Sequence, residues 1–333
     1  MIEGFYLNIN GRIDNGEKVL SLCCESIPDV PAIAFSDTAE ETLRRFIGER
    51  ALVIAESKKG SGNDSKHRFT GGCSNCANYQ LNDWVSDGRI YYVNLSMYPA
   101  PCQSHCIYCG VHRTGLDGKA REAYERLFEF LELVKDSGLL SENALWQISS
   151  GEIAIHPYRE RIMKLVGSHR AVFYTNCFKF DEGIAQNLHD NPKSAINLSI
   201  DAGLPETWRK IKGVNNFETV ISNLVEYYKW SARPGQITLK YIVLPGLNDT
   251  YEDYLSVIEI MKVLEVKHLT IARDTSKKYS MGTEEGEQLT GAAGYLAAMC
   301  HKNGITNDMF TYTPEERERV ISFANELLQN GVI

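Results

Sequence analysis

The sequence predicts an α/β protein built on a parallel β-sheet, and two observations support this fold class. After residue 88, apolar segments rich in β-branched and aromatic residues alternate six times with segments of helical apolar spacing. The links between these segments are short. Such alternation is typical of a parallel sheet with crossover helices, either closed as a partial barrel or open and doubly wound.

Each element is predicted from the pattern of apolar residues within its own segment. The helix at 118–137, for example, carries apolar residues three or four positions apart, which is the period of a helix with one buried face: Tyr124, Leu127, Phe128, Leu131 and Val134. The predicted strands are 89–99, 144–152, 171–177, 194–201, 236–246 and 266–274. The other predicted helices lie at 157–167, shortly after 177, within 205–231, and at 251–264 and 286–302.

Polar and thiol side chains follow the predicted strands where each one ends. In chain order they are the cysteines of 102–109, Ser150-Gly151-Glu152, Cys177, Asp201, the segment PGLND (245–249) and Arg273-Asp274. The carboxyl ends of parallel strands meet at one edge, and active sites of such folds gather there. We therefore expect the functional site at this edge.

Composition and charge exclude several classes of protein. The net charge is −8, which argues against a protein that binds a nucleic-acid backbone, because such proteins carry clustered basic surfaces. The N-terminal segment has neither the basic nor the apolar region of a signal peptide. No apolar run approaches the roughly 20 residues needed to span a bilayer. We expect a cytoplasmic protein that binds neither nucleic acid nor membrane.

Nine cysteines require an explanation, since disulfides are rare in a reducing compartment and these spacings are too tight for them. Cys177 and Cys300 stand alone, and isolated cysteines are usually buried apolar side chains. The other seven are grouped, as metal ligands are: Cys23, Cys24, Cys73, Cys76, Cys102, Cys106 and Cys109. The grouping favours metal binding.

The triplet at 102–109 has one thiolate fewer than a structural zinc site needs. Thiolates select zinc, copper(I) or iron–sulfur clusters. His105 or His112 as a fourth ligand remains an alternative. A four-iron cluster held by three cysteines instead leaves one iron with an open coordination position, as a catalytic centre requires.

The segment Cys102-x3-Cys106-x2-Cys109, with Tyr108 before the last cysteine and a strand before the first, resembles the radical S-adenosylmethionine (SAM) enzymes. The resemblance implies a partial (β/α)6 barrel in which the three cysteines hold a 4Fe–4S cluster that binds SAM. It also implies reductive cleavage of SAM to a 5′-deoxyadenosyl radical that abstracts hydrogen from a substrate. Such a cluster would be oxygen-sensitive, with flavodoxin or ferredoxin as its reductant.

Further positions match this family. Ser150-Gly151-Glu152 resembles its Gly-Gly-Glu segment, which contacts the SAM amino group, with serine in place of the first glycine. An ordinary strand-to-helix turn is the alternative reading. Ser199 and Asp201 resemble residues that contact SAM, although Asp201 is also a candidate for substrate contact.

Three more features are assigned by the same resemblance. Arg209 would pair with the SAM carboxylate unless it simply lies on a solvated helix face. The backbone from Ile242 to Leu244 would pack against adenine, with Asn248 shaping the loop. Cys177 would donate a hydrogen atom to a substrate radical, the alternative being a buried structural thiol.

The N-terminal region resembles the auxiliary-cluster modules called SPASM or twitch. It combines a predicted hairpin around DNG (14–16) that ends at Cys23 and Cys24, a helix at 37–47, and the pair Cys73 and Cys76. In relatives this module usually follows the barrel. An auxiliary iron–sulfur cluster is expected here, and the alternatives are zinc or no bound metal. One of the two adjacent cysteines is expected not to ligate.

These expectations divide the chain into an auxiliary module at 1–85, a radical SAM barrel at 86–310 and a C-terminal helix at 311–333 packed on the barrel. The function expected is hydrogen abstraction from a small molecule, or from a peptide recognised without a leader-binding domain. The alternative is a non-catalytic scaffold or electron carrier that holds zinc or a cluster.

Overall fold

The computed structural model describes residues 5–22, 32–59, 87–110, 116–149, 151–277, 279 and 282–333. The cysteines at 23, 24, 73 and 76, together with Ser150 and His112, lie outside these residues. The chain forms two compact units. The first contains residues 1–101 and 111–173, and the second contains 102–110 and 174–333. The triplet of cysteines therefore belongs to the second unit.

The ten strands of the described residues are β1 (Phe5–Arg12), β2 (Leu20–Ser21), β3 (Ala32–Ile33), β4 (Ile90–Tyr98), β5 (Leu140–Ile148), β6 (Arg170–Tyr174), β7 (Ala195–Ser199), β8 (Ile237–Val243), β9 (His268–Arg273) and β10 (Thr306–Asp308). The helices are α1 (Ala39–Lys59), α2 (Gly118–Asp136), α3 (Arg159–Val166), α4 (Glu182–Asp190), α5 (Pro205–Lys212), α6 (Phe217–Trp230), α7 (Tyr251–Val263), α8 (Glu284–Lys302) and α9 (Pro314–Gln329). All six predicted strand–helix pairs are present.

In the first unit the strands follow the order β3-β2-β1-β4-β5-β6. The predicted hairpin is confirmed, because β1 and β2 pair antiparallel with Asn8 opposite Ser21. The sequence did not predict that β1 also runs parallel to β4 along its whole length. The rings of Tyr6 and Tyr92 stack across this pair with centroids 4.3 Å apart. The N-terminal hairpin is thus continuous with the sheet that carries β4.

In the second unit β7, β8, β9 and β10 pair in that order, and all pairs are parallel. The register sets Ser199, Lys240 and Thr270 side by side on neighbouring strands. Side chains in register on parallel strands share one face of the sheet. Strand β10 was not predicted, and its three residues are too few to give a sequence signal.

The helix boundaries follow from capping residues. Asp117 accepts a hydrogen bond from the backbone N–H of Ala120 and begins α2. Thr313 and Glu316 form a capping box that begins α9, the C-terminal helix. The segment 205–231 contains two helices, because Gly213 ends α5 in the left-handed conformation at φ 70°. Within the described residues, no helix combines the length and apolarity needed to cross a membrane.

Candidate functional site

The candidate site is the loop 102–110, which carries three cysteines that form no disulfide. Cys102 and Cys106 are half-buried, and Cys109 is exposed. Ser104 is buried between the first two, with only 2% of its surface exposed. Cys109 is therefore the most accessible of the three cysteines, while the loop is buried at Ser104.

The loop is anchored by the C-terminal end of α5. The N–H of His105 donates to the carbonyl oxygen of Lys212 at 2.7 Å, and the N–H of Ile107 donates to that of Ile211 at 3.0 Å. The last carbonyls of a helix have no partner within the helix. Here two of them accept hydrogen bonds from the loop that carries the cysteines.

Gly213 makes this close approach possible. A Cβ atom at this position would lie 2.6 Å from the Cβ of His105 and 3.1 Å from its carbonyl oxygen. The backbone also has φ +70°, which side-chain-bearing residues rarely adopt. Both the conformation and the contact therefore require glycine.

A buried ionic network holds the tip of the loop. The Lys212 ammonium donates to the Asp201 carboxylate at 2.5 Å, to the Tyr108 hydroxyl at 2.7 Å and to the Ser199 carbonyl oxygen at 2.7 Å. The Tyr108 hydroxyl donates to the same oxygen of Asp201. The Lys212 side chain is 5% exposed and that of Asp201 is 0% exposed. Burial first, and then the charges of Asp201 and Cys106, raise the pKa of Tyr108, so the phenol stays protonated.

The second oxygen of Asp201 is also engaged, since it accepts from the N–H of Ile242 at 2.6 Å. The backbone of Asp201 has φ 46°, a left-handed conformation tolerated mainly by Gly, Asn and Asp. Asp201 was predicted to contact SAM or substrate. In the structure its carboxylate joins the cysteine loop, α5 and β8.

Asn248 shapes the loop after β8, as predicted. Its amide nitrogen donates to the carbonyl oxygens of Asp201 and Ile242, each at 2.8 Å. Its amide oxygen accepts from the N–H of Leu244 at 2.8 Å. This one side chain, fully buried, connects the ends of β7 and β8.

An apolar cluster lies behind Tyr108. The ring packs against Ile211, Ile242, Leu244 and Ala272, all of which are buried. The two residues predicted to pack against adenine, Ile242 and Leu244, therefore belong to the apolar cluster beside the cysteine loop.

Lys240 is a cation that sequence reasoning did not single out. It is half-buried on β8 between Ser199 and Thr270. Burial lowers the pKa of its ammonium group, and the charges of Asp201 and Cys109 partly oppose that effect. Its ammonium group forms neither a hydrogen bond nor an ion pair with any residue in the described ranges.

Gly151 and Glu152 belong to the first unit, where they pack against Pro101, the residue that precedes the first cysteine of the loop. The N–H of Glu152 donates to the carbonyl oxygen of Pro101 at 2.8 Å. A Cβ atom on Gly151 would lie 2.5 Å from that oxygen. The Glu152 side chain is completely buried and accepts from the N–H of Ala154. The glycine is therefore required for this contact.

The other predicted residues lie as follows. Cys177 is completely buried, with φ 55°, and its N–H donates to the hydroxyl of Thr175 at 3.0 Å. Arg209 is exposed on α5. Its guanidinium has no hydrogen-bond or ion-pair partner in the portion of the chain that the structure covers. Its role and that of Cys177 stay predictions.

Lys212 is a residue of this site that the sequence analysis did not identify. In ETWRKIKG (206–213) three basic residues follow one another closely, and the segment resembles a solvated helix face. The buried residues of α5 are Thr207, Trp208, Ile211 and Lys212. Lys212 lies four residues after Trp208, on the same helix face, and that spacing was the available signal.

The donor set suits an iron–sulfur cluster better than a single metal ion. The loop offers three cysteines and no disulfide, and thiolates are the ligands of such clusters. Among the residues described, no three His, Cys, Asp or Glu side chains converge as one ion would require. A four-iron cluster places each thiolate on a different iron atom and does not need that convergence.

Comparison with known proteins identifies this part of the chain. Residues 101–261 match the model of the Radical SAM superfamily. This segment, which includes all three cysteines of the loop, is a radical SAM domain. The fold is correspondingly an α/β fold of the partial-barrel type, with a mostly parallel sheet.

The relatives are distant. A GTP 3′,8-cyclase from Acaryochloris marina (strain MBIC 11017) is 25% identical over 193 residues, which are 55% of this chain and 54% of that protein. The chain thus spans about half the length of this curated relative. The crystal structure of SuiB from Streptococcus suis has a TM-score of 0.51 at 13% identity, covering 89% of this chain and 59% of SuiB. Its complex with S-adenosylmethionine has a TM-score of 0.50 at 15% identity, covering 85% and 59%. These structures establish similarity of fold.

Proposed function

We propose that this protein is an enzyme that reductively cleaves SAM and uses the resulting radical to abstract hydrogen from an organic substrate. The observation that carries the proposal is the triplet Cys102, Cys106 and Cys109, which form no disulfide and lie on a loop that is hydrogen-bonded to α5 within a radical SAM domain. When bound by these thiolates, a 4Fe–4S cluster would supply the electron that divides SAM into methionine and a 5′-deoxyadenosyl radical.

The chain's own residues would fix the position of the cysteine loop and of SAM. Two backbone hydrogen bonds and the Lys212–Asp201–Tyr108 network fix the loop before any ligand binds. A preformed site loses little entropy when it orders its ligand. The apolar cluster with Ile242 and Leu244 would support the adenine ring.

Polar contacts to SAM are assigned by the family resemblance. Ser199 would contact SAM from β7, and Gly151 with Glu152, together with the preceding Ser150, would receive its amino group. Arg209, exposed on α5, would reach the SAM carboxylate. Because both oxygens of Asp201 are engaged inside the protein, its contribution would be to position Tyr108 and Ile242.

Two further assignments extend this proposal. Cys23, Cys24, Cys73 and Cys76 would bind an auxiliary iron–sulfur cluster, in a module like SPASM or twitch. Cys177 would deliver a hydrogen atom to the substrate radical if the substrate reaches its buried side chain. The substrate class is a small molecule or a peptide, and the reductant a flavodoxin or ferredoxin.

The test is anaerobic. The protein is reconstituted with iron and sulfide, reduced with dithionite and supplied with SAM, and 5′-deoxyadenosine is measured by mass spectrometry. The wild type is expected to form it, and a Cys102→Ala, Cys106→Ala, Cys109→Ala variant is expected not to. Cys300→Ala, at a buried lone cysteine, is the matched control and is expected to retain cleavage. Cleavage by the triple variant would overturn the proposal.

The iron count separates the remaining possibilities. About eight irons per chain would correspond to two four-iron clusters, and about four to the radical SAM cluster alone. Cys73→Ala with Cys76→Ala is expected to lower the iron count while SAM cleavage stays measurable. Bound zinc without 5′-deoxyadenosine would support the non-catalytic alternative.

A further inference from the structure

Asn176 lies beside the cysteine loop, in the segment that follows β6. Its amide nitrogen donates towards the sulfur of Cys102 at 3.6 Å. Its amide oxygen accepts from the N–H of Phe178 at 3.0 Å and from the Gln103 side chain at 3.4 Å. A backbone N–H can only donate, so the amide end facing Phe178 is the oxygen. The NH2 group therefore faces the sulfur.

The segment that carries Asn176 is held by contacts that do not involve Cys102, Cys106 or Cys109. The N–H of Thr175 donates to the carbonyl oxygen of Asn197 at 3.2 Å. The carbonyl oxygen of Cys177 accepts from the Asn223 side chain at 2.7 Å. Cys177 itself is buried in a left-handed conformation. The donor is therefore positioned by the scaffold of the second unit, independently of what the thiols bind.

A second donor faces the second cysteine. The Ser104 hydroxyl lies 3.1 Å from the sulfur of Cys106 and 3.5 Å from the carbonyl oxygen of Lys212. A metal-bound cysteine is a thiolate, which can only accept. Ser104 would then donate to the sulfur. No comparable donor reaches the sulfur of Cys109 from the residues that the structure describes.

We propose that Asn176 is a positioning residue that sets the reduction potential of the cluster, acting through its hydrogen bond to Cys102. The proposal rests on the proposed function, in which Cys102 is a cluster ligand. The reduced cluster carries one more negative charge than the oxidised cluster. A hydrogen bond to a ligating sulfur stabilises that charge, and such bonds are among the factors that set cluster potentials.

The hydrogen bond from Asn176 raises the reduction potential of the cluster. The N–H donor stabilises the reduced cluster more than the oxidised one, so the wild-type potential lies above that of a variant without the donor. A given reductant therefore reduces the cluster more readily in the wild type than in a variant without Asn176. The contact does not require SAM or substrate, so it acts in the resting enzyme.

The experiment measures the midpoint potential of the reconstituted full-length enzyme by redox titration with dithionite, followed by electron paramagnetic resonance. Asn176→Asp keeps an oxygen for the N–H of Phe178 but removes the donor and adds a negative charge. Asn176→Leu removes both polar groups. Gln103→Met is the matched control, because it removes a contact to Asn176 but no hydrogen bond to the sulfur of Cys102 or Cys106.

We expect both Asn176 variants to bind the wild-type amount of iron and to have more negative potentials, with the larger shift for Asn176→Asp. A tenfold fall in the ratio of reduced to oxidised cluster at fixed ambient potential corresponds to about 59 mV for a one-electron couple. Gln103→Met is expected to keep the wild-type potential. The effect on 5′-deoxyadenosine formation should follow the potential and weaken when stronger reductant is supplied.

The other outcomes each count against the proposal. Full iron content with a wild-type potential in Asn176→Asp would refute the tuning role and leave the proposed function intact. Loss of iron in both Asn176 variants would make Asn176 a residue needed for cluster retention and would equally refute tuning. A wild-type protein that assembles no cluster at Cys102, Cys106 and Cys109 would refute the proposed function itself.

Discussion

The buried ion pair between Lys212 and Asp201 leads to the sharpest prediction about stability. In Lys212→Met the ammonium is lost, while the Asp201 carboxylate keeps only its contacts to Tyr108 and the N–H of Ile242. Asp201 is fully buried, and a buried charge without its partner is costly. Removing one partner of a buried pair typically costs about 3–5 kcal/mol.

The neighbouring Lys210 provides the comparison. Its ammonium lies 3.2 Å from the carboxylate of Glu206 on the same helix, with side chains 54% and 72% exposed. Exposed pairs contribute about 0–1 kcal/mol, because solvent screens them. Lys210→Met removes the same charge from the same helix and should hardly alter the free energy of unfolding.

The assay is urea denaturation under anaerobic conditions, followed by tryptophan fluorescence. Trp208 is a suitable local probe, because the ammonium of Lys212 lies 5.2 Å from its ring centroid and the ring is buried. We expect the Lys212→Met midpoint to fall well below those of the wild type and of Lys210→Met. Adding Asp201→Asn should recover part of the loss, since it removes the unpaired charge.

Two results would refute this reasoning. One is a free energy of unfolding for Lys212→Met within about 1 kcal/mol of that for Lys210→Met, since an exposed pair contributes no more than this. The other is a double variant that is less stable than Lys212→Met alone. Either would mean that Asp201 tolerates burial without its cation.

Further predictions follow from single positions. Gly213→Ala should reduce iron incorporation, measured by iron analysis, because its methyl group collides with His105. Gly246→Ala is the control, because its φ is similar but a Cβ there has nothing within 4 Å, and it should retain iron. Equal iron contents in the two variants would contradict this prediction. Burial lowers the pKa of His156 to about 4, so the unfolded state binds more protons between about pH 4 and 6.5 and stability falls as pH falls through that window. At pH 5 the free energy of unfolding should be about 2 kcal/mol lower than at pH 8. Urea titrations at the two pH values should show this difference in the wild type and not in His156→Phe. A difference of the same size in the variant would contradict the prediction. Lys240→Met should raise the free energy of unfolding by about 1 kcal/mol, because it removes a half-buried cation that has no ion-pair partner among the described residues. A urea midpoint below that of the wild type would mean that the ammonium has a stabilising partner.

Local sequence determined the elements of this fold. Apolar spacing with a period near three to four, and short runs of β-branched and aromatic residues, depend only on neighbours along the chain. The six strands β4 to β9 and their helices were therefore predicted within a few residues, and so was the hairpin of β1 and β2. The triplet of cysteines was equally visible, because its three thiols lie within one loop.

Tertiary structure alone decided which charged and polar residues are buried together. Of the three basic residues in ETWRKIKG, only Lys212 points into the protein, and that depends on how α5 packs beside the cysteine loop. Asp201, Asn176 and Lys240 lie far in sequence from the cysteines of the loop 102–110. Their contacts or electrostatic coupling with the loop arise from strand pairing and loop packing.

The parallel pairing of β1 with β4 is the clearest difference between the two levels. The sequence predicted a hairpin around DNG (14–16), which is a local feature, but the parallel partner of its first strand is distant, because Asn8 of β1 lies opposite Asn94 of β4. Which edge a strand joins depends on the free energy of the whole sheet and on side-chain packing such as that of Tyr6 on Tyr92. The sequence by itself determined the elements and the candidate ligands, and the packing of those elements decided which residues support the ligands.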